Sequence, residues 1–239
     1  MDYIDGEDIF RTTKGLPYEE IYPWIVQFCR ILEYIHSRGL IHYDIKPGNV
    51  LVHQPHDSDK QPIVKLTDFG LAGEHQLQGG TLIRGTFPYI APEVIKGLSI
   101  DHRVDLYSLG VLLYEIFTKR SLRAKSKKSF ATLLKQSKDC ISQPLSEVVT
   151  DIPKWLERVI MRLLAPEPAA RFGRANEVIK AINDFTKSKF ALETEKTIEG
   201  YLLSSRFVGR NKEMELLTSL YEKAKQGDGQ VVLITGDAG

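Results

Sequence analysis

His42-Tyr43-Asp44-Ile45-Lys46-Pro47-Gly48-Asn49-Val50-Leu51 is the most informative stretch of this 239-residue chain. It places a carboxylate (Asp44), a cation (Lys46) and an amide (Asn49) in close succession on a loop. Nineteen residues past Asn49 comes Asp68-Phe69-Gly70, a second carboxylate on a glycine-hinged turn. Phosphoryl transfer needs this set of groups. One carboxylate orients an attacking hydroxyl and accepts its proton, while the cation neutralises charge on the transferred phosphoryl group. An amide oxygen and a second carboxylate are hard ligands suited to magnesium.

Outward from this loop, the flanking patterns predict regular structure. Upstream, Ile21, Trp24, Ile25, Phe28, Ile31, Leu32 and Ile35 recur at three- and four-residue intervals. That is one face of an amphipathic helix over 17–36, with Gly39 as a stop. Pro23 is tolerated easily only in a first turn, which moves the expected start toward Tyr22. Downstream, 49–53 and 63–66 read as β-strands joined by a polar hairpin loop, and 74–90 as an extended loop. The segment 101–118 is helical and apolar on nearly every face, the signature of a helix buried at a domain centre. Further helices are expected near 128–137, 153–164 and 174–188, the second announced by Asp151 and Pro153. A connector over 189–205 precedes another amphipathic helix, over 207–225, and then an apolar strand running into Thr235-Gly236-Asp237-Ala238-Gly239.

Composition narrows the class. Hydrophobic residues at 42% and charged residues at 26% are ordinary globular values, which exclude disorder, collagen and coiled coil. Lys plus Arg total 32 against 31 acidic residues, so no overall charge drives the chain toward nucleic acid or an anionic membrane. No apolar run approaches the roughly 18 residues of a membrane span, and the acidic start lacks the features of a signal peptide. Cys29 and Cys140 stand far apart and fit no metal or redox spacing, as expected of buried thiols in a reducing compartment. A soluble, cytoplasmic protein is the expectation. The histidines show no metal-ligand spacing, and the basic stretch from Lys119 to Lys128 reads as a solvated loop.

In this order the motifs resemble the catalytic loop and magnesium loop of eukaryotic-type protein kinases. Gly85-Thr86, Ala91-Pro92-Glu93, Asp105 at the start of the buried helix, and Arg171 continue the resemblance, which covers residues 1–188. It implies ATP and Mg²⁺ as cofactors and a protein Ser/Thr hydroxyl as acceptor. By resemblance Asp44 is the catalytic base, Lys46 contacts the γ-phosphate, and Thr86 bridges toward both. Asn49 and Asp68 hold Mg²⁺, with Gly70 as the hinge of the magnesium loop. Glu93 pairs with Arg171, and Asp105 braces the catalytic-loop backbone. Lys46 two residues after the base, together with Gly85-Thr86, is similar to the serine/threonine-specific branch.

Two departures from the family pattern qualify these expectations. Tyr43 stands where most such kinases carry an arginine that pairs with a phosphorylated activation-loop residue. A phenol cannot form that bidentate pair, so phosphorylation at Thr81 is expected to be dispensable. The glycine-rich loop, strand lysine and partner glutamate of the family's small lobe have no counterpart here. Met1-Asp2-Tyr3-Ile4 resembles the hinge that follows that lobe, and 6–13 the short helix after the hinge. A fragment, inactive alone, is therefore expected.

The tail carries a second resemblance. Phe207-Val208-Gly209-Arg210 and the final glycine turn are similar to the opening of an AAA or STAND-type P-loop ATPase module. The expected fold is thus mostly α (α+β). A kinase-like C-terminal lobe without its N-lobe spans 1–188, a linker 189–205, and the beginning of a P-loop α/β domain 206–239. The expected partners are a protein substrate, the attached ATPase and downstream sensor modules, with neither nucleic acid nor a membrane span. A pseudokinase or docking module that regulates the ATPase is the rival reading, and ATPase-driven switching a third. Asp44, Lys46, Asn49 and Asp68 weigh against the pseudokinase.

Overall fold

The apolar stripe upstream of the catalytic loop forms the longest helix described, α2 (Tyr18–Ser37), which buries Ile25, Phe28, Leu32 and Ile35 in the core. Two short elements precede it, β1 (Glu7–Asp8) and α1 (Ile9–Thr12). The computed structural model describes residues 6–55, 61–74, 85–120, 143–192, 211–229 and 231–232. They divide into two units, Met1–Leu203 and Ser204–Gly239.

Two expectations about the N-terminal segments are corrected. α2 begins at Tyr18 and carries Pro23 inside it, rather than starting near Tyr22. Pro23 has no N–H to donate to the Glu19 carbonyl, and Glu19 is exposed to solvent. Burial of Ile21, Tyr22, Trp24 and Ile25 holds the turn regardless. Likewise, 6–13 is not all helix. Asp8 caps α1 by accepting from Arg11 N at 3.0 Å, which fixes the helix start behind it and leaves β1 extended.

Past α2, Gly39 adopts φ +73° and donates to the His36 carbonyl at 3.0 Å, closing the helix as its position predicts. The chain then runs through β2 (Leu40–Ile41), the catalytic-loop sequence and a 3₁₀ turn at Pro47–Asn49. β3 (Val50–His53) and β4 (Ile63–Leu66) follow as the expected hairpin, with Val50 opposite Leu66 and His53 opposite Ile63. β1 adds to β3, giving sheet order β1-β3-β4. Gln27 of α2 covers the β4 edge, donating to Pro62 O at 2.9 Å and accepting from Val64 N at 3.0 Å. β5 (Gly73–Glu74) pairs with β2, so the expected loop opens with a strand.

α3 (Pro92–Ile95) leads to α4 (Arg103–Thr118), in which every residue from Val104 to Thr118 is buried. α4 packs against α5 (Lys154–Leu163), while α2 packs against α6 (Ala175–Thr186). Gly110 allows the first contact, since a Cβ there would lie 2.8 Å from Leu163 Cβ. α5 starts behind Pro153 without a side-chain cap, so Asp151 does not serve as one. The result is a helix-rich fold with a small sheet. In the second unit α7 (Asn211–Lys225) is helical, with Leu216 and Tyr221 exposed. The expected helix near 128–137, Thr81, Cys140, the hinge-like Met1–Ile4, Val208-Gly209-Arg210 and the terminal glycine turn lie outside the described residues. Among the described residues no helix is long and apolar enough to cross a membrane.

Candidate active site

Because β3 and β4 run antiparallel with Val50 opposite Leu66, Asn49 and Thr67 meet at one end of the hairpin. Thr67 fastens the junction by donating its N–H and its hydroxyl to the Asn49 carbonyl, at 2.9 and 3.2 Å. The hairpin thus carries the catalytic-loop amide and the segment leading into Asp68 to the same place.

Asp44 is 5% exposed, and three polar side chains converge on it. Lys46 Nζ donates to Asp44 Oδ2 at 2.6 Å and to Thr86 Oγ1 at 3.0 Å. Thr86 in turn donates its hydroxyl to Asp44 Oδ1 at 2.6 Å. Asn49 Nδ2 donates to Asp44 O at 2.8 Å and to Oδ2 at 3.0 Å, leaving its own Oδ1 as the acceptor. Burial alone would raise the Asp44 pKa. The hydrogen bonds from Lys46 and Thr86, the Lys46 charge and the Asn49 amide outweigh burial and hold it below the usual carboxylate value. Asp44 therefore stays ionised at neutral pH.

The main chain of this loop is held from below. Asp105, fully buried near the start of α4, accepts from His42 N and Tyr43 N, both at 2.9 Å. Tyr43 sits at φ +66°, a left-handed conformation that a bulky residue adopts only when its surroundings impose it. The Tyr43 ring is buried in the core, where an arginine would have to bury a charge. His42 Nδ1 accepts from Asp44 N at 3.3 Å and Nε2 donates to Thr67 O at 3.0 Å, the packed loop role expected of it.

Asp68 makes no hydrogen bond to this cluster. It is exposed, at φ +61°, and its Oδ1 accepts from Gly70 N at 3.4 Å. Phe69 rests edge-on against His42 with ring centroids 4.8 Å apart. Among the described residues no group of three or more His, Cys, Asp or Glu side chains is placed to hold a metal ion. Mg²⁺ does not require one, since it is commonly bound by one or two carboxylates together with substrate phosphates. The exposed Asp68 carboxylate and the Asn49 amide oxygen are hard donors of that kind, and the chemistry of the pair fits the ion.

The profile of the protein kinase domain matches residues 1–184. The chain belongs to the protein kinase domain family. Among similar proteins is one named "probable serine/threonine-protein kinase" from Clostridium acetobutylicum, 32% identical over 191 residues. That match covers 77% of this chain and 28% of the relative. A second protein of the same description, from Clostridium perfringens, is 31% identical over 208 residues, covering 83% of this chain and 29% of the relative. The serine/threonine-protein kinase PknB of Mycolicibacterium smegmatis is 31% identical over 187 residues, covering 74% of this chain and 28% of the relative. The chain spans less than a third of the length of each of these three relatives.

Within the kinase domain, Glu93 and Arg171 meet in a buried two-pronged pair at 2.6 and 2.7 Å. Arg171 also donates to the carbonyls of Ala165, Arg103 and Pro166, which ties α3, the head of α4 and the segment after α5 together. Two further buried arrangements were not anticipated. Tyr89 donates to Glu115 Oε2 at 2.5 Å and its carbonyl accepts from Ser108 Oγ at 2.8 Å, locking the segment after Thr86 onto α4. Glu115, an acid deep within the buried stretch of α4, was the readable signal, because a buried carboxylate requires a donor. The second is His36, whose Nε2 lies 2.8 Å from Asp105 Oδ2. No local spacing marks it.

Proposed function

We propose that this kinase domain is the phosphoryl-transfer lobe of a serine/threonine protein kinase that uses MgATP and a protein hydroxyl. The observation that carries the proposal is the convergence of Lys46, Asn49 and Thr86 on the ionised Asp44. Asp44 orients the Ser or Thr hydroxyl in line with the γ-phosphorus. The bond from that oxygen to phosphorus forms as the bridging bond to ADP breaks, and the hydroxyl proton passes to Asp44. A weakly basic carboxylate suffices, because in a loose transition state the proton leaves late. Lys46 sits between Asp44 and Thr86 with its charge available to the transferred phosphoryl oxygens. Asn49 and Asp68 are the residues that would hold Mg²⁺, which supplies charge neutralisation at the phosphates, and Gly70 hinges the loop bearing Asp68. Glu93, Arg171 and Asp105 hold these parts in register.

The test is transfer of labelled γ-phosphate to a mixed protein substrate by the full-length protein. Asp44→Asn is expected to lower kcat by at least about a hundredfold with nucleotide affinity retained. Transfer by Asp44→Asn at the native rate would overturn the assignment and favour the docking-module reading. The buried Tyr43 supports the further proposal that activity does not depend on phosphorylation at Thr81. Loss of activity in Thr81→Ala would contradict it.

The boundaries 1–188, 189–205 and 206–239, the reliance on a small lobe supplied outside this lobe, and a cytoplasmic location belong to the same reading. The tail is read as the start of an AAA or STAND-type ATPase module on the strength of Val208-Gly209-Arg210 and the terminal glycine turn. A Gly-Lys-Ser/Thr sequence directly after Gly239 in the reading frame is expected.

A further inference from the structure

The chain does not leave the kinase domain at the end of α6. Lys187 turns it at φ +58°, a left-handed conformation in which glycine is the usual residue. Residues 188–192 then fold back against α6, past residue 184, where the match to the kinase domain ends. Exposure alternates along this segment. Ser188, Phe190 and Leu192 are half-buried, while Lys189 and Ala191 are exposed, so one face of it lies on the lobe. Phe190 and Leu192 pack against the core. Asn183 of α6 satisfies both main-chain polar groups of Phe190, donating from Nδ2 to its carbonyl at 2.8 Å and accepting from its N–H at 2.9 Å. A side-chain amide can pair with main chain in this way because it carries both an acceptor and donors. Arg30 of α2 donates from Nε and Nη2 to the next carbonyl, that of Ala191, at 3.0 and 2.6 Å.

We propose that residues 187–192 form a strap that belongs to the kinase lobe and couples the chain beyond Leu192 to α2, the helix that leads into the catalytic loop. The strap joins α6 to α2 where the two helices already pack together. One turn further along α2, Glu33 accepts from Asn176 N at 3.1 Å and from Arg174 Nε at 2.9 Å, which fastens the head of α6. The seam is thus clamped twice, by Glu33 at the head of α6 and by Arg30 through the chain returning from its tail. The second clamp is the one able to open, because its bonds lie at a partly exposed surface and hold a single short segment. A displacement of the chain after Leu192 acts first on the Asn183 and Arg30 bonds. Breaking them uncovers Phe190 and Leu192 and takes from Arg30 its acceptor on the strap, which loosens α2 between Arg30 and the catalytic loop. No step of phosphoryl transfer enters this coupling, which extends the proposed lobe from residue 188 to residue 192.

The experiment is hydrogen exchange in the full-length protein, comparing the native chain with Asn183→Leu, Arg30→Met and the double variant. Leucine keeps nearly the volume of asparagine and removes both amide bonds. Methionine keeps an unbranched stem and removes the guanidinium donors. Exchange over 187–192 is expected to rise at least about fivefold in each single variant, and over 30–37 at least about twofold, with α4 unchanged. In the double variant the rise over 187–192 is expected to match that of the stronger single variant, because both substitutions open one strap. Asn183→Leu decides the coupling, since it alters no residue of α2. Native exchange over 187–192 in both single variants would overturn the strap. A faster strap in Asn183→Leu with native exchange over 30–37 would overturn the coupling. So would an equal rise in α4, since the substitution would then act on the whole lobe.

Discussion

Thr86 donates its hydroxyl to Asp44 Oδ1 at 2.6 Å, joining residues 42 positions apart in sequence. The same hydroxyl oxygen accepts from Lys46, so Thr86 fixes both the carboxylate and the cation. Removing it leaves Asp44 free to rotate and Lys46 without one of its two anchors. Thr86→Ala is expected to lower kcat about tenfold, with Thr86→Ser close to the native value. Steady-state phosphorylation kinetics check this, and a Thr86→Ala protein with native kcat would show that the contact is incidental.

Arg171 and Glu93 form a fully desolvated pair, so removing one partner strands the other. Arg171→Ala is expected to destabilise the domain by about 3–5 kcal/mol. Arg171→Lys should recover little, because an ammonium cannot reproduce the two-pronged geometry or reach the same three carbonyls. Denaturant midpoints for the native protein and both variants give the comparison.

His102 donates from Nε2 to Gly173 O at 2.7 Å and lies against His36. Burial lowers its pKa from the ordinary 6.5, with the neighbouring His36 acting in the same direction and the Gly173 bond opposing. A histidine with a lowered folded pKa binds fewer protons than in the unfolded chain, so stability rises with pH. Its contribution is complete above the ordinary value and is lost as pH falls through the folded one. Thermal midpoints are expected to drop on acidification from about pH 7 to pH 5, and to drop less in His102→Gln. Parallel curves for the two proteins would count against His102 as the source.

Gly85 has φ +111°, and a Cβ there would lie 2.6 Å from the Tyr43 carbonyl oxygen and 3.2 Å from Ile90 Cγ1. The segment carrying Thr86 therefore approaches the catalytic loop closely only because this residue has no side chain. Gly85→Ala is expected to destabilise the domain by more than about 1 kcal/mol and to reduce activity through Thr86. Unfolding and kinetics together test it, since a shift confined to stability would separate the packing from the site.

Much of this was legible locally. The apolar spacing that gives α2, α4, α5 and α6 is a property of a few turns of chain, and Asn49 to Leu66 already reads as a hairpin. The order of Asp44, Lys46, Asn49, Asp68, Thr86, Glu93, Asp105 and Arg171 suffices for the family. Covalent geometry imposes these short periods, so they survive without knowledge of the rest of the molecule. What folding added is long-range. Pro23 is carried inside α2 because burial of its neighbours outweighs one missing hydrogen bond. β1 and β5 exist because β3 and β2 offer them edges, which no window of two residues announces. Glu33 reaches Arg174 across 141 positions, and His36 reaches Asp105 across 69. Such contacts depend on which buried charges must be satisfied once the chain has closed, and that demand arises only in the packed interior.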